Sequence, residues 1–347
     1  MRRSLASLCG LILALLSPGM HASAQDMEAY FRGKVVSIVV GFGPGGGYDG
    51  YAQMLSQFMD SHIPGEPKVI VRHMPGAGSL AMMNYMANVA PRDGLTFGIP
   101  AASTAFVSLI GSEREKEAAK FDARKLGWLG SLEAFTPIAL AWHTSGFKSI
   151  DDLKARDFKY GSSGPASGGE SYAELMNALL GTKLKAVRGY KGSNEMALAV
   201  ERGELDGIVG WCWTCVKADK PQFITDKTAL FLAQIGVRPD PEMQGVPFVL
   251  DLVKNEDDRR AAHLVLANLA MGRPFVAPPG LPPGVLKTLR EAFVATARDE
   301  AMKEFATRTR RVINLMTGEE IDRLLAGSYA LPRAIVARAI QISAPAP

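Results

Sequence analysis

The sequence predicts an α/β protein made of two lobes, and three observations support this prediction. A run of β-branched residues, Val35–Val40, leads into a glycine-rich turn at 41–47 and then into apolar residues at helical spacing. The same succession follows the strand-like stretch 68–71, and it begins again near Pro137 in the middle of the chain. Because strand, turn and helix in alternation build parallel sheets, each half of the chain is expected to form its own sheet.

The predicted strands are short and apolar, and the helices between them begin at recognisable caps. Strands are predicted at 35–40, 68–71, 95–99, 138–142, 158–161, 183–190, 205–209 and 229–235. Ser149 and Thr317 fit capping boxes, and Ser193 is expected to cap a helix that stops at Gly203. From residue 257 onward the chain is predicted to be helical. A helical tail cannot build a core alone, so it is expected to return to the first lobe.

The N-terminus predicts export. Arg2 and Arg3 precede an apolar stretch at 5–16, and the small residues of 22–24 follow it. This order is typical of a secretory signal peptide, and the apolar stretch is shorter than the roughly 20 residues needed to span a bilayer. Cleavage is expected after Ala24, which would place the mature protein in the periplasm. The predicted units are 1–24 for the signal peptide, 33–132 with 240–347 for lobe 1, and 133–239 for lobe 2.

The charge of the chain argues against a nucleic-acid partner. Its 39 basic and 35 acidic residues give a net charge of +4, which becomes +2 when Arg2 and Arg3 are removed. Nucleic-acid-binding domains are usually much more basic. A mildly positive surface would suit a small anionic ligand.

The glycine-rich turn after the first strand predicts an anion site. Gly41, Gly43 and Gly46 match the dinucleotide fingerprint formally, but no acidic residue closes the second strand, and Pro44 removes a backbone donor. Glycines before a helix N-terminus can instead present backbone N–H groups to a carboxylate. Such loops are predicted at 45–47, at 76–78, and at Ser162, Ser163 and Ser167 in the second lobe. The alternative is that these are only tight strand-to-helix turns.

An ordered set of motifs resembles a known family. The motifs are 39–49 (VVGFGPGGGYD), 75–78 (PGAG), 91–96 (PRDGLT), 135–137 (FTP), 160–164 (YGSSG), 190–192 (YKG), 203–206 (GELD) and 281–285 (LPPGV). They are similar to the successive signatures of the tripartite tricarboxylate transporter receptors, also called the Bug family. The resemblance implies a type II periplasmic-binding-protein fold, with two α/β lobes around a ligand cleft and a two-strand hinge. It also implies delivery of the ligand to a membrane permease.

The resemblance and the loops together predict the ligand-binding residues. From the first lobe these are Phe42, Gly45, Gly46, Gly47, Asp49, Gly76, Ala77, Gly78 and Ser103. From the second lobe they are Ser162, Ser163, Ser167, Asp206 and Trp211, the last as a ring that could stack on an aromatic acid. Gly43 and Tyr48 depart from the family pattern, so the resemblance does not fix which acid is bound.

The segment Trp211-Cys212-Trp213-Thr214-Cys215 leaves three readings open. Cys212 and Cys215 could form a structural disulfide in an oxidising compartment, or remain buried thiols. A Cys-x-x-Cys pair could also perform thiol/disulfide chemistry. No catalytic set, metal site or cofactor is predicted. The expected protein is therefore a monomeric, non-enzymatic binder with a small carboxylate ligand and membrane permease subunits as partners. The alternatives are a periplasmic thiol/disulfide enzyme and a ligand-sensing receptor.

Overall fold

Two separate β-sheets, each with helices packed on it, form the framework of the protein. The computed structural model describes residues 24–162, 168–190 and 192–344. The strands are β1 (Val35–Val40), β2 (Lys68–His73), β3 (Thr96–Ile99), β4 (Gly127–Ser131), β5 (Pro137–Trp142), β6 (Phe158–Ser162), β7 (Leu184–Arg188), β8 (Gly207–Cys212), β9 (Ala229–Gln234), β10 (Pro274–Ala277) and β11 (Met316–Thr317). The α/β class and the two sheets predicted from the sequence are confirmed.

The helices lie between the strands and at both ends of the described chain. They are α1 (Ala24–Phe31), α2 (Gly47–Phe58), α3 (Leu80–Asn88), α4 (Val107–Ile110), α5 (Glu113–Ala118), α6 (Ile150–Ala155), α7 (Gly168–Leu180), α8 (Ser193–Glu201), α9 (Trp213–Asp219), α10 (Gln222–Thr225), α11 (Val249–Leu252), α12 (Glu256–Leu266), α13 (Pro283–Arg298), α14 (Glu300–Arg308), α15 (Gly318–Tyr329) and α16 (Arg333–Ser343). Among the described helices, none has the length and apolar character needed to cross a membrane. The predicted signal peptide lies outside the described residues, except for Ala24.

The first sheet has the strand order β11-β4-β10-β3-β1-β2. Strands β1, β2 and β3 are parallel, whereas β10 runs antiparallel to both β3 and β4. The second sheet has the order β7-β6-β8-β5-β9, with β6 parallel to β7 and β8, and β5 antiparallel to its neighbours. Residues of the chain's last third thus complete a sheet that its first third begins.

The helix caps follow the sequence with one exception. Ser149 and Thr317 form the predicted capping boxes with Asp152 and Glu320. Ser193 is the first residue of α8 instead of its cap, because Gly192 in extended geometry takes the cap position. Each capping box satisfies backbone N–H groups that the first helical turn would leave without a partner.

One hydrophobic core extends across both sheets. It includes Met83 from the first half, Phe158 from the second sheet and Ile335 from α16. Helix α16 packs against α12 and also against α7, which belongs to the second half of the chain. The tail therefore supplies strands to the first sheet and a helix to the second. The lobe boundaries 33–132 with 240–347, and 133–239, stay a prediction.

Candidate functional site

The parallel strands of each sheet end in loops that carry most of the predicted site residues. In the first sheet, Val40 pairs with His73 of β2 and with Ile99 of β3, so these three strands end together. In the second sheet, β6 ends at Ser162 and β8 at Cys212. Ligands of open α/β sheets bind at the carboxyl ends of the strands. A ligand site is therefore expected at these edges of the two sheets.

The first glycine loop is held in shape by Asp49. The Gly45 N–H donates to Oδ2 of Asp49 at 2.7 Å, and a ring nitrogen of His73 lies 2.8 Å from Oδ1. Burial works to raise the pKa of Asp49, but the hydrogen bonds from Gly45, His73 and Gln53 hold it below the ordinary value. Both carboxylate oxygens of Asp49 therefore already have hydrogen-bond partners in the loop, in α2 and at the end of β2. Asp49 is better described as a loop-positioning residue than as a group that contacts the ligand.

The second glycine loop has an unusual backbone. Gly76, Ala77, Gly78 and Ser79 have φ values of 153°, 47°, 61° and 73°. Left-handed geometry costs a non-glycine residue roughly 1–2 kcal/mol, so Ala77 and Ser79 are strained. The buried Ser79 is fixed by the Ala101 N–H, which donates to its hydroxyl at 2.8 Å. Gly41 lies so close to Ser79 that no side chain would fit between them, and the two glycine loops are therefore packed together.

Arg273 reaches the same edge because of the direction of its strand. It directly precedes β10, whose first residue, Pro274, pairs with Ser131 at the end of β4. An antiparallel strand begins where its neighbour ends, so Arg273 lies beside the loops that leave the first sheet. A Cβ atom on Gly47 would lie only 2.6 Å from Nη2 of Arg273.

The guanidinium group of Arg273 is enclosed by aromatic rings. Its Cζ lies 4.3 Å from the ring centre of Tyr48, 4.5 Å from that of Phe135 and 5.4 Å from that of Tyr51. Its Nε lies 3.3 Å from Oε2 of Glu133, and only 12% of the side chain is exposed. Aromatic faces stabilise a cation that has lost much of its water. The protein thus keeps one positive charge in a largely dry position.

Glu133 lies beside this charge, but its contact with Nε of Arg273 is not a hydrogen bond of good geometry. Its Oε1 accepts a hydrogen bond from the Thr214 hydroxyl at 3.1 Å. Burial raises the pKa of Glu133, and the Arg273 cation opposes this. Among the described residues, neither Oε2 of Glu133 nor Nε of Arg273 has a hydrogen-bond partner of good geometry. Since an arginine carries five N–H donors, Arg273 retains the capacity to bind a second anion.

A cavity of about 350 Å³, which we call the cleft pocket, opens beside Arg273. It lies mainly in the second sheet's half of the protein. Its described lining is Phe135, Pro137, Gly161, Ser162, Gly168, Gly169, Tyr172, Gly192, Ser193, Met196, Ile208, Val209, Gly210, Trp211, Cys212, Cys215, Leu269 and Arg273. The pKa of Tyr172 is raised by burial and then by the nearby phenol of Tyr48, so the two halves of the chain approach each other here.

Cys212 and Cys215 are joined in a disulfide, which forms part of the pocket wall. The bridge closes the junction between β8 and α9. Thr214, which donates to Glu133, lies inside this short loop. The disulfide is therefore connected, through Thr214 and Glu133, to the position of Arg273.

The structure brings only some of the predicted residues to this pocket. Trp211 and Ser162 line it, although the Ser162 hydroxyl donates to the buried Glu170. Glu170 in turn holds Arg188, whose hydrogen bonds keep the pKa of Glu170 below the ordinary value. Ser103 is exposed on the turn after β3. Ser163 and Ser167 lie outside the described residues.

The remaining predicted residues of the first lobe lie in the two glycine loops and are not part of the described pocket lining. Phe42 stacks on Tyr48 with ring centres 4.5 Å apart, which connects the first glycine loop to the ring beside Arg273. The loop glycines of both turns are exposed at this edge: Gly45, Gly46, Gly47, Gly76 and Gly78. Among these, Gly47 makes the close approach to Arg273.

Asp206 lies away from the cleft pocket. Its carboxylate accepts the Lys159 N–H at 2.7 Å, and its own N–H donates to Lys159 O. Lys159 lies near the start of β6, and Asp206 precedes the start of β8. Both residues are thus at the edge opposite Ser162 and Cys212. The family resemblance, and not the strand pattern, suggests Asp206 as a ligand contact, because a residue at the start of a strand lies opposite the carboxyl ends.

A larger hollow of about 990 Å³ lies next to the connection between the sheets. Several of its charged groups already have partners within the protein. Glu242 accepts from Trp213 at 2.9 Å and pairs with Lys217, and Arg238 donates to Asn314. Such mutual pairing leaves fewer groups for a ligand. The cleft pocket is therefore the better candidate. Within the described residues, no cluster of three or more His, Cys, Asp or Glu could hold a metal ion.

Sequence reasoning missed Arg273, Glu133 and Tyr172. Arg273 precedes a strand that was not predicted, and Glu133 follows another. Tyr172 lies on the buried face of α7, where the sequence pattern predicts only packing. The available signal was weak: Arg273 stands before a short apolar run, PFVA, that ends at Pro278.

Comparisons with known proteins agree with this architecture. No protein-family model matches the chain, and no curated protein sequence matches it. Solved structures do match: a TctC solute-binding protein from Polaromonas has a TM-score of 0.67 at 16% identity, covering 88% of this chain and 98% of that one.

Two structures from Rhodopseudomonas palustris are also similar. MatC with bound malate has a TM-score of 0.60 at 15% identity, covering 89% of this chain and 99% of that one. Rpa4515 with adipate has a TM-score of 0.61 at 17% identity, covering 88% and 97%. The resemblance predicted from the motifs is thereby confirmed at the level of the fold. The chain has the two-sheet α/β fold of the TctC-type solute-binding proteins.

Proposed function

We propose that this protein is a periplasmic solute-binding protein that captures a small carboxylate-bearing ligand between its two lobes. The observation that carries the proposal is the position of Arg273. Its guanidinium lies between the first glycine loop and the cleft pocket and is largely removed from water, and its Nε contacts Glu133 without a hydrogen bond of good geometry. A buried arginine of this kind binds a carboxylate strongly because the hydrogen bonds are charge-assisted.

The neighbouring structures support the same class of ligand. Malate and adipate, the acids bound in two of them, are both small carboxylates. In this chain the glycine loops would complete the grip through backbone N–H groups, with Gly46 and Gly47 on one side and Gly76, Ala77 and Gly78 on the other. The lobes would close over the ligand, and the protein would deliver it to a tripartite tricarboxylate-type permease. Export through residues 1–24 belongs to this proposal.

A thermal-shift screen of residues 25–347 against small acids tests the proposal. A ligand that binds only the folded state raises the melting temperature by mass action. We expect a shift with at least one acid and none with the corresponding amide, because the amide carries no charge for Arg273. The Arg273→Gln protein should lose the shift. Equal shifts with acid and amide would contradict carboxylate capture.

A second candidate, a thiol/disulfide enzyme, is favoured by one observation. The Cys212–Cys215 bridge lines the cleft pocket at the start of α9, where a helix N-terminus stabilises a thiolate. An assay of disulfide reduction in a model substrate separates the two candidates. Turnover that disappears in a Cys212→Ser protein would support the enzyme, whereas acid binding without turnover supports the binder.

A further inference from the structure

We propose that the preferred ligand is a monocarboxylate with an apolar body, held by its acid group at Arg273 and by its hydrocarbon part in the cleft pocket. This inference rests on the proposed solute-binding function and narrows it to one class of acid. Such a monocarboxylate differs from a dicarboxylate, which carries a charge at both ends.

The distribution of charge around the pocket supports one acid group. Among the described lining residues, Arg273 is the only one with a charged side chain. Deeper in the pocket, the described lining offers a second carboxylate only neutral groups, such as the backbone at the starts of α7 and α8, and no second cation. Hydrogen bonds from a guanidinium are roughly twice as strong as those from neutral donors, so a second desolvated carboxylate held without an ion-pair partner is expected to weaken binding about tenfold or more.

Glu133 strengthens this discrimination. It already places one carboxylate beside Arg273, with Oε2 3.3 Å from Nε. A monoanionic ligand would share the guanidinium with Glu133, whose acidity burial has already reduced. A dianion would add a second negative charge to the same region, and like charges at close range repel. The pair of Arg273 and Glu133 therefore tolerates one added negative charge better than two.

The walls of the pocket suit a hydrocarbon body. Tyr172, Met196 and Trp211 are each less than 9% exposed and line it together with Leu269 and Ile208. A volume of about 350 Å³ lies at the small end of the range for ligand sites. Each additional methylene buried in such a pocket strengthens binding about fourfold.

The orientation of the ligand follows from the surroundings of Arg273. The rings of Tyr48, Tyr51 and Phe135 surround the guanidinium, and Glu133 approaches its Nε. The terminal nitrogens therefore offer the remaining donors. An acid group bound there leaves its hydrocarbon chain free to extend toward Trp211.

Calorimetry with acids of equal length tests the inference. Hexanoate is compared with adipate, and octanoate with suberate, using hexanamide as the uncharged control. We expect each monoacid to bind at least about tenfold more tightly than its diacid, and binding to tighten from butanoate to hexanoate. A diacid that binds as tightly as its monoacid overturns this inference but leaves the proposed function intact. If no acid binds, or the amide binds equally well, both are wrong.

A matched pair of variants locates the hydrocarbon body. Met196→Lys places a cation in the pocket wall, whereas Leu198→Lys places one on the same helix at a position that is 43% exposed. The first should reduce the preference of octanoate over suberate at least about tenfold, and the second should leave it unchanged. An unchanged preference in a folded Met196→Lys protein would overturn the inference. If the Met196→Lys protein does not fold, the comparison of monoacids with diacids on the wild-type protein decides the inference.

Discussion

Gly47 and Arg273 lie so close together that even one methyl group on Gly47 would clash with the guanidinium group. A Cβ atom added to Gly47 would lie 2.6 Å from Nη2 of Arg273, with no other residue nearer. The contact joins the start of α2, directly after the glycine loop, to the residue that precedes β10. It explains why a glycine stands at the first position of α2, where an ordinary side chain would displace the cation.

Gly47→Ala is therefore expected to weaken acid binding more than it weakens the fold. The guanidinium is the mobile end of a long side chain, so it should move aside at small cost in stability but lose its position beside the pocket. We expect acid affinity to fall about tenfold or more, measured by calorimetry. Gly43→Ala is the matched control, because Gly43 belongs to the same loop, is not one of the proposed ligand contacts, and a Cβ atom there meets nothing within 4 Å. Equal affinities of the two variants would contradict the account.

Arg273→Gln and Glu133→Gln should separate binding from stability. Each leaves a buried charge without its partner, so each should lower the free energy of unfolding by about 3–5 kcal/mol, measured by urea denaturation. Arg273→Gln should also weaken acid binding about 10- to 150-fold, because charge-assisted hydrogen bonds are lost. Glu133→Gln keeps the cation and removes a competing carboxylate, so it should bind the acid at least as tightly as wild type. Loss of binding in both variants would contradict this prediction, because a general loss of stability would then explain the result without a direct role for Arg273.

Reduction of the Cys212–Cys215 disulfide should lower both stability and affinity. A loop this short is expected to contribute about 2 kcal/mol to the free energy of unfolding. Affinity should fall because Cys212 and Cys215 line the cleft pocket, so that opening the bridge alters the wall against which the ligand packs. Melting curves and calorimetry with and without dithiothreitol measure the two effects. A Thr214→Val protein, which keeps the disulfide but loses the hydrogen bond to Glu133, should lose stability and keep its affinity.

Asp49 predicts an acid-dependent loss of stability. Its folded-state pKa lies below the value of about 3.9 expected in the unfolded chain. Its hydrogen bonds thus stabilise the fold above about pH 4, and this contribution is lost as the pH falls through the lower, folded pKa. Asp49→Asn should cost about 1 kcal/mol at pH 7, with the difference from wild type vanishing in strong acid. Asp151→Asn, at an exposed position, should change stability by less than about 0.5 kcal/mol. A difference for Asp49→Asn that persisted in strong acid would contradict this.

The alternation of strands and helices was predictable because it is written in local patterns. Val35–Val40 is a buried strand in sequence and in structure, and the glycine loop that follows lies where expected. Strands β4 (GWLGS) and β10 (PFVA) were missed because they are short and contain glycine or proline. The strands that pair with β4 and β10 are distant in the chain, so no local sequence pattern predicts either of the two.

The site was only partly predictable for the same reason. The glycine loops are local motifs, but Arg273 meets Tyr48 and Glu133 only after β10 has inserted between β3 and β4. Asp206 shows the opposite case, because the family resemblance suggests a ligand contact, whereas the residue lies at the start of β8, at the edge opposite the cleft pocket. Long-range pairing, which composition and spacing do not encode, decides both cases.

A crystal structure of the protein with its tightest-binding acid would show whether Arg273 holds the acid group. We expect carboxylate oxygens about 2.7–2.9 Å from the guanidinium nitrogens of Arg273, with the hydrocarbon part against Tyr172 and Trp211. A carboxylate bound elsewhere, with Arg273 paired to Glu133 alone, would contradict it.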